Sequence, residues 1–198
     1  MREIIKDFGP TLVSFLALFV SALSALLVSD INRRTLVQKQ QDDERKEIYK
    51  KLNSFYGPFR QLLGKSFELY GLFTRSREPD FRTLTALLAG EKFEGNDKIL
   101  LEQILKITDE MDKLILNNSG LIDDEGLKQV LQKASAHFTI LKLASEGHIA
   151  GEQERFKDHV FPRDLTPKIE EEISRLKNRL DQLNTEVYRS VFKRIFTR

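Results

Sequence analysis

The sequence predicts an all-α fold: a single N-terminal transmembrane helix, then a cytoplasmic helical bundle with a long C-terminal helix. Three observations predict it. No Asp, Glu, Lys, Arg or His occurs from Phe8 to Ser29. Beyond that stretch, apolar residues recur at the three- and four-residue spacing that lines one face of a helix. Nothing alternates as a half-buried strand would, no internal repeat is present, and only five prolines and ten glycines interrupt a chain rich in Leu, Lys, Glu and Gln.

The first element is the apolar run. Residues 11–29, TLVSFLALFVSALSALLVS, rise by about 28 Å as a helix, close to the ~30 Å hydrocarbon core of a bilayer. A soluble core helix usually keeps a polar stripe. Here Ser14, Ser21 and Ser24 are tolerable in lipid, because their hydroxyls can return to backbone carbonyls. The competing reading is a cleaved secretion signal: Arg2 and Lys6 make a charged start, and Ala22-Leu23-Ser24 offers a small-residue cleavage site. The run continues past that site through Val28, and Glu3 and Asp7 sit among the basic residues, so an uncleaved anchor is expected. Arg33, Arg34, Lys39, Arg45 and Lys46 follow it closely and outnumber Arg2 and Lys6. Lysine and arginine favour the cytoplasmic side, which predicts a single-pass protein of a plasma or inner membrane with its N-terminus outside. The absence of cysteine suits a reducing compartment without requiring one.

Four segments follow from this pass: the anchor (1–29), a juxtamembrane polar stalk helix (30–56), a helical bundle domain (57–165) and a long C-terminal helix (166–198). The stalk contains QKQQDDERKE (38–47), suited to a solvated helix or a spacer. Ile48, Leu52 and Phe55 restore helical spacing before Gly57-Pro58, where a break or sharp kink is expected. A helix from Pro58 presents Phe59, Leu62, Leu63, Phe67, Tyr70 and Phe73 on one face, and RSREPD (75–80) turns the chain. A short helix over 81–90 ends on Gly90, and a longer one follows Asn96 and stops at NNSG (117–120). Asp123 is the expected cap of the next, which Gly147 closes. Residues 148–165 read as irregular, with Phe156, Val160 and Phe161 free to pack. Thr166-Pro167 gives a cap and a first-turn proline to the last helix. Ile173, Leu176, Leu180, Leu183 and Val187 form a heptad seam on it, which serves either the chain's own core or a self-associating coiled coil.

Two candidate sites concern the membrane. Ala17, Ser21 and Ala25, four residues apart, make a small-residue face that lets two anchors approach closely in lipid. At the other end, Arg189, Phe192, Lys193, Arg194, Phe196 and Arg198 combine cations with aromatic rings, which suits contact with an anionic membrane surface. The same residues also fit an ordinary helix end, where cations oppose the dipole. The formal charge of +2 resides in that tail, whose four cations leave the remainder slightly acidic and without a nucleic-acid footprint.

Catalytic signals are weak. Gly64-Lys65-Ser66 ends like a phosphate-binding loop but lacks the earlier glycine, since Phe59 stands there, and a helix replaces the preceding strand. His137, His148 and His159 are spaced by eleven, too far apart for a usual zinc site, and no cysteine assists them. Asp158-His159 with Arg163-Asp164 is a polar cluster on an irregular segment, read as a connector pinned by ion pairs and aromatic rings. Asn117-Asn118-Ser119 matches a glycosylation acceptor that a cytoplasmic domain does not use. No catalytic, metal or cofactor-binding residue is therefore assigned, no small-molecule substrate is evident, and no cofactor is expected.

The resulting expectation is a membrane-anchored, non-enzymatic helical scaffold or adaptor that self-associates. Its partners are the lipid bilayer, other copies of itself and an unidentified protein. The alternative is a membrane-acting effector whose clustered anchors perturb the bilayer. An enzyme assembled from separated residues is the third reading, with His137 and His159 the first places to look.

Overall fold

A computed structural model describes residues 2–196 of the chain, with side chains for Ser14 and for 16–185. Among the described residues every regular element is helical and there is no strand. The chain divides into two compact units, residues 1–47 and residues 48–198.

The described residues of the first unit are all helical and belong to α1 (Arg2–Lys51), whose last residues fall in the second. The apolar run and the polar stalk therefore form one uninterrupted helix. α1 contains the one stretch among the described residues that is long and apolar enough to cross a membrane. An 18-residue window there has a mean hydropathy of 1.5, and none of it is buried. Leu16, Leu18, Phe19, Leu23, Leu26 and Leu27 are all more than half exposed.

The second unit starts with a departure from expectation. Gly57-Pro58 does not break the helix. Instead Leu52–Tyr56 widens into a π-helical turn, Gly57 N–H donates to the carbonyl of Leu52, and α2 (Gly57–Thr74) continues directly. Proline has no N–H to give, and a wider turn accommodates that missing donor without ending the helix. Glycine is required beside it, because a Cβ at residue 57 would lie 2.8 Å from the Leu52 carbonyl oxygen. The widened turn also aims two successive rings, Phe55 and Tyr56, into the interior.

The remaining elements are α3 (Thr83–Leu88), α4 (Gly95–Asn117), α5 (Glu125–Ser145), the single turn α6 (Gln153–Phe156) and α7 (Leu165–Phe196). Gly90 and Gly147 adopt positive φ at 86° and 74°, the left-handed closure expected after a helix. The cap of α5 is Asp124, whose carboxylate accepts from Leu127 N–H at 2.5 Å. Asp123, the expected cap, instead receives the Lys51 ammonium at 2.5 Å. α7 begins at Leu165, so Thr166 and Pro167 fall inside its first turn rather than before it.

Two apolar clusters form the interior. The larger gathers Phe55, Phe59, Met111, Leu127, Leu131 and Ala134 with Leu165, Ile169 and the seam residues Ile173, Leu176, Leu180 and Leu183 of α7. The seam thus serves the chain's own core over 173–183. The smaller cluster joins Phe73, Leu84, Leu88, Phe93, Leu101 and Ile104 to Leu141 and Ala144. Arg77 fastens its edge. The Arg77 guanidinium lies 5.0–5.7 Å from the ring centres of Phe73, Phe81 and Phe93 and donates to Glu91 and Asp97, both at 2.6 Å.

Candidate functional site

The second unit contains a cavity of about 270 Å³ where its two core clusters meet. Helical spacing explains the apolar wall. Leu101 and Ile104 are three apart on α4, Phe138 and Leu141 three apart on α5, so each pair shares one face. Leu63, Phe67 and Tyr70 on α2 complete that side. The connector 148–165 closes the cavity with Val160 and Phe161. Phe161 is held edge-on against Phe67 and against His137, each with ring centres 5.9 Å apart. Rings, rather than ion pairs of Asp158, Arg163 or Asp164, hold this part of the connector among the described residues.

Its polar lining is small and one-signed. Arg82 and Arg163 are exposed at the cavity, no Asp or Glu lines it, and neither arginine makes an ion pair among the described residues. Thr83 is 8% exposed and its Oγ1 has no hydrogen-bond partner. Thr108, by contrast, satisfies its hydroxyl by donating to the Leu105 carbonyl at 2.8 Å. His137 Nδ1 bonds the backbone oxygen of His159 at 2.7 Å. A carbonyl only accepts, so the proton sits on Nδ1 and the neutral ring keeps Nε2 as an acceptor. Burial pushes the His137 pKa down, opposed in part by that bond to His159.

A second polar group joins the end of α1, the π turn, the start of α5 and α7. Glu172 is nearly buried and receives both Nε and Nη2 of Arg175, at 2.7 and 2.6 Å. That hydrogen-bonded pairing raises the Arg175 pKa. Tyr56 is fully buried, its hydroxyl has no partner, and burial followed by the charges of Glu172 and Asp123 pushes its pKa up. Within this group the Lys51–Asp123 pair links separate segments, while the Glu172–Arg175 pair lies inside α7.

Comparison with protein-family models, curated proteins and solved structures finds no match.

The sequence-predicted sites fall elsewhere. Ala17, Ser21 and Ala25 lie on α1 of the first unit, all exposed and on one face by their four-residue spacing. The side chains of Arg189, Phe192, Lys193, Arg194 and Phe196 lie outside the described ones, and Arg198 lies outside the described residues altogether. Of the histidines, His137 and His159 meet only through the ring-to-backbone bond, while His148 faces Glu146 at 3.2 Å. Among the described residues no group of three or more His, Asp or Glu is arranged to hold a metal ion. Gly64-Lys65-Ser66 sits inside α2, where the amides are engaged in the helix. Sequence reasoning noticed Arg163 within the loop cluster but not Arg82 or Thr83. No local signal marks them, since the cavity is built from five separated segments.

Proposed function

We propose that this chain is a single-pass, membrane-anchored helical adaptor, with an uncleaved N-terminal anchor and its folded unit in the cytoplasm. One observation carries the reading: the apolar window of α1 has no protein surface covering it. Side chains such as Leu18, Phe19, Leu23 and Leu26 are costly to leave in water, and a bilayer is the cover that their length and composition fit. The exposed face of Ala17, Ser21 and Ala25 supports self-association through the anchor. The basic tail from Arg189 to Arg198 supports contact with an anionic leaflet. The adaptor role, without catalysis, rests on a folded unit whose polar groups are engaged chiefly in holding helices together.

The test begins with the mature protein. Mass measurement of the membrane-extracted chain gives the intact N-terminus if the helix is an anchor, and a start near Ala25 if it is a cleaved signal. The natural absence of thiols allows single-cysteine topology mapping. Glu3→Cys should react with an impermeant maleimide from outside and Gln153→Cys should not; the reverse pattern overturns the orientation. Ser21→Leu should weaken an anchor-association reporter signal, and no change counts against the small-residue face. A bilayer-perturbing effector is the second reading, favoured by the same exposed apolar helix. Dye release from vesicles reconstituted with the full chain would select it over the adaptor.

A further inference from the structure

We infer that the cavity at the junction of the two core clusters binds a medium-chain carboxylic acid, its carboxylate at Arg82 and Arg163 and its chain along Leu101, Ile104 and Leu141. This goes beyond the adaptor reading and does not depend on it. Size comes first. A cavity of about 150 Å³ accommodates benzene, six carbons, so in the same proportion ~270 Å³ holds about eleven non-hydrogen atoms. That matches a saturated acid of eight to ten carbons, as an order of magnitude.

Charge then sets the head group. The lining holds two arginines and no carboxylate. Neither arginine is neutralised by an ion pair among the described residues, and Arg82 makes only one long bond, from Nη1 to the Phe81 carbonyl at 3.4 Å, so both guanidinium groups can still take an anion. The rest of the lining is chiefly apolar, with Leu63, Leu84, Leu101, Ile104, Phe138 and Leu141 all buried. An apolar body with a single anionic head matches both parts of the lining; an alcohol or a hydrocarbon leaves the arginines unused.

The experiment uses the full chain in phosphatidylcholine nanodiscs and a ten-carbon carboxylic acid carrying a diazirine at its chain end. Irradiation should label the tryptic fragments 99–106 and 134–142, which carry Leu101, Ile104 and Leu141. Excess decanoate should abolish that labelling, and 1-decanol at equal free concentration should compete about ten-fold less well, the loss of one charge-assisted contact. The Arg82→Gln/Arg163→Gln variant, its fold checked by circular dichroism, should lose labelling by about ten-fold or more. Ile104→Phe, which fills the cavity without touching the arginines, should lose it as well. Labelling confined to residues 11–29, equal competition by 1-decanol, or full labelling of the arginine variant would each overturn the inference.

Discussion

Replacing Arg77 by alanine should lower the melting temperature of the folded unit by about 5–10 °C, at ~2–4 °C per kcal/mol. The guanidinium sits 5.0–5.7 Å from three phenylalanine ring centres while its side chain is 22% exposed. Stacking of a partly desolvated cation is worth about 1 kcal/mol, counted once because the three rings share one charge. The pairs with Glu91 and Asp97 involve carboxylates that are 39% and 36% exposed, so each is discounted for solvent screening to about 0.5 kcal/mol. Lost packing of the buried stem brings the sum to about 2–3 kcal/mol. Circular dichroism melts of the full chain in nanodiscs read it directly. Arg77→Lys keeps the charge but neither the fork nor the planar stack, and should forfeit more than half of that stability. The salt dependence separates the contributions. In 1 M salt, where the screening length is about 3 Å, the ion-pair share shrinks and the stacking share stays. A melting point for Arg77→Ala within 1 °C of the parent, or an effect that vanishes entirely in high salt, would refute the assignment of stability to the three rings.

Other substitutions probe other parts of the fold. Gly57→Ala should destabilise by about 1–3 kcal/mol because its methyl meets the Leu52 carbonyl oxygen. Gly64→Ala and Gly71→Ala, where a Cβ meets nothing within 4 Å, should each stabilise by about 0.5–1 kcal/mol in the same melts. Asp124→Ala removes the cap of α5 and should cost about 1 kcal/mol by denaturant titration. His137 is pushed below its usual pKa, so the unfolded chain binds its proton more readily than the folded one. Its contribution is fully present above the unfolded value near 6.5 and is lost as pH falls through the lowered folded value, so stability should decline over that window. His137→Asn should flatten that decline when melting temperatures at pH 5 and 7.5 are compared, and an unchanged slope would exonerate the ring.

The helices were legible because their apolar faces repeat at a helical period, and the glycine closures because left-handed residues follow helix ends. Gly57-Pro58 misled for a physical reason. The pair forbids a regular α-helical turn, but a π turn also tolerates the missing donor, and choosing between a break and a bulge depends on whether Phe55 and Tyr56 can both be buried. That is a tertiary fact. Asp123 and Asp124 are equivalent as caps in one dimension; Lys51, 72 residues earlier, takes one of them and leaves the other for Leu127. The heptad seam left two partners open, and the interior surfaces of the bundle were needed to choose. The cavity was invisible for the same reason: its residues run from Leu63 to Arg163 with no local pattern.

The π turn also bears on where the protein can be cut. Ile48, Phe55 and Tyr56 are core residues of the second unit although they precede the Gly57-Pro58 pair that invites a domain boundary. A fragment starting at residue 57 would be born without them and without the Lys51 ammonium that donates to Asp123, leaving a greasy trench between α4, α5 and α7. The smallest excisable piece therefore begins at or before Ile48, inside a helix, where the polar stretch 38–47 gives way to apolar spacing and no glycine or proline marks the place.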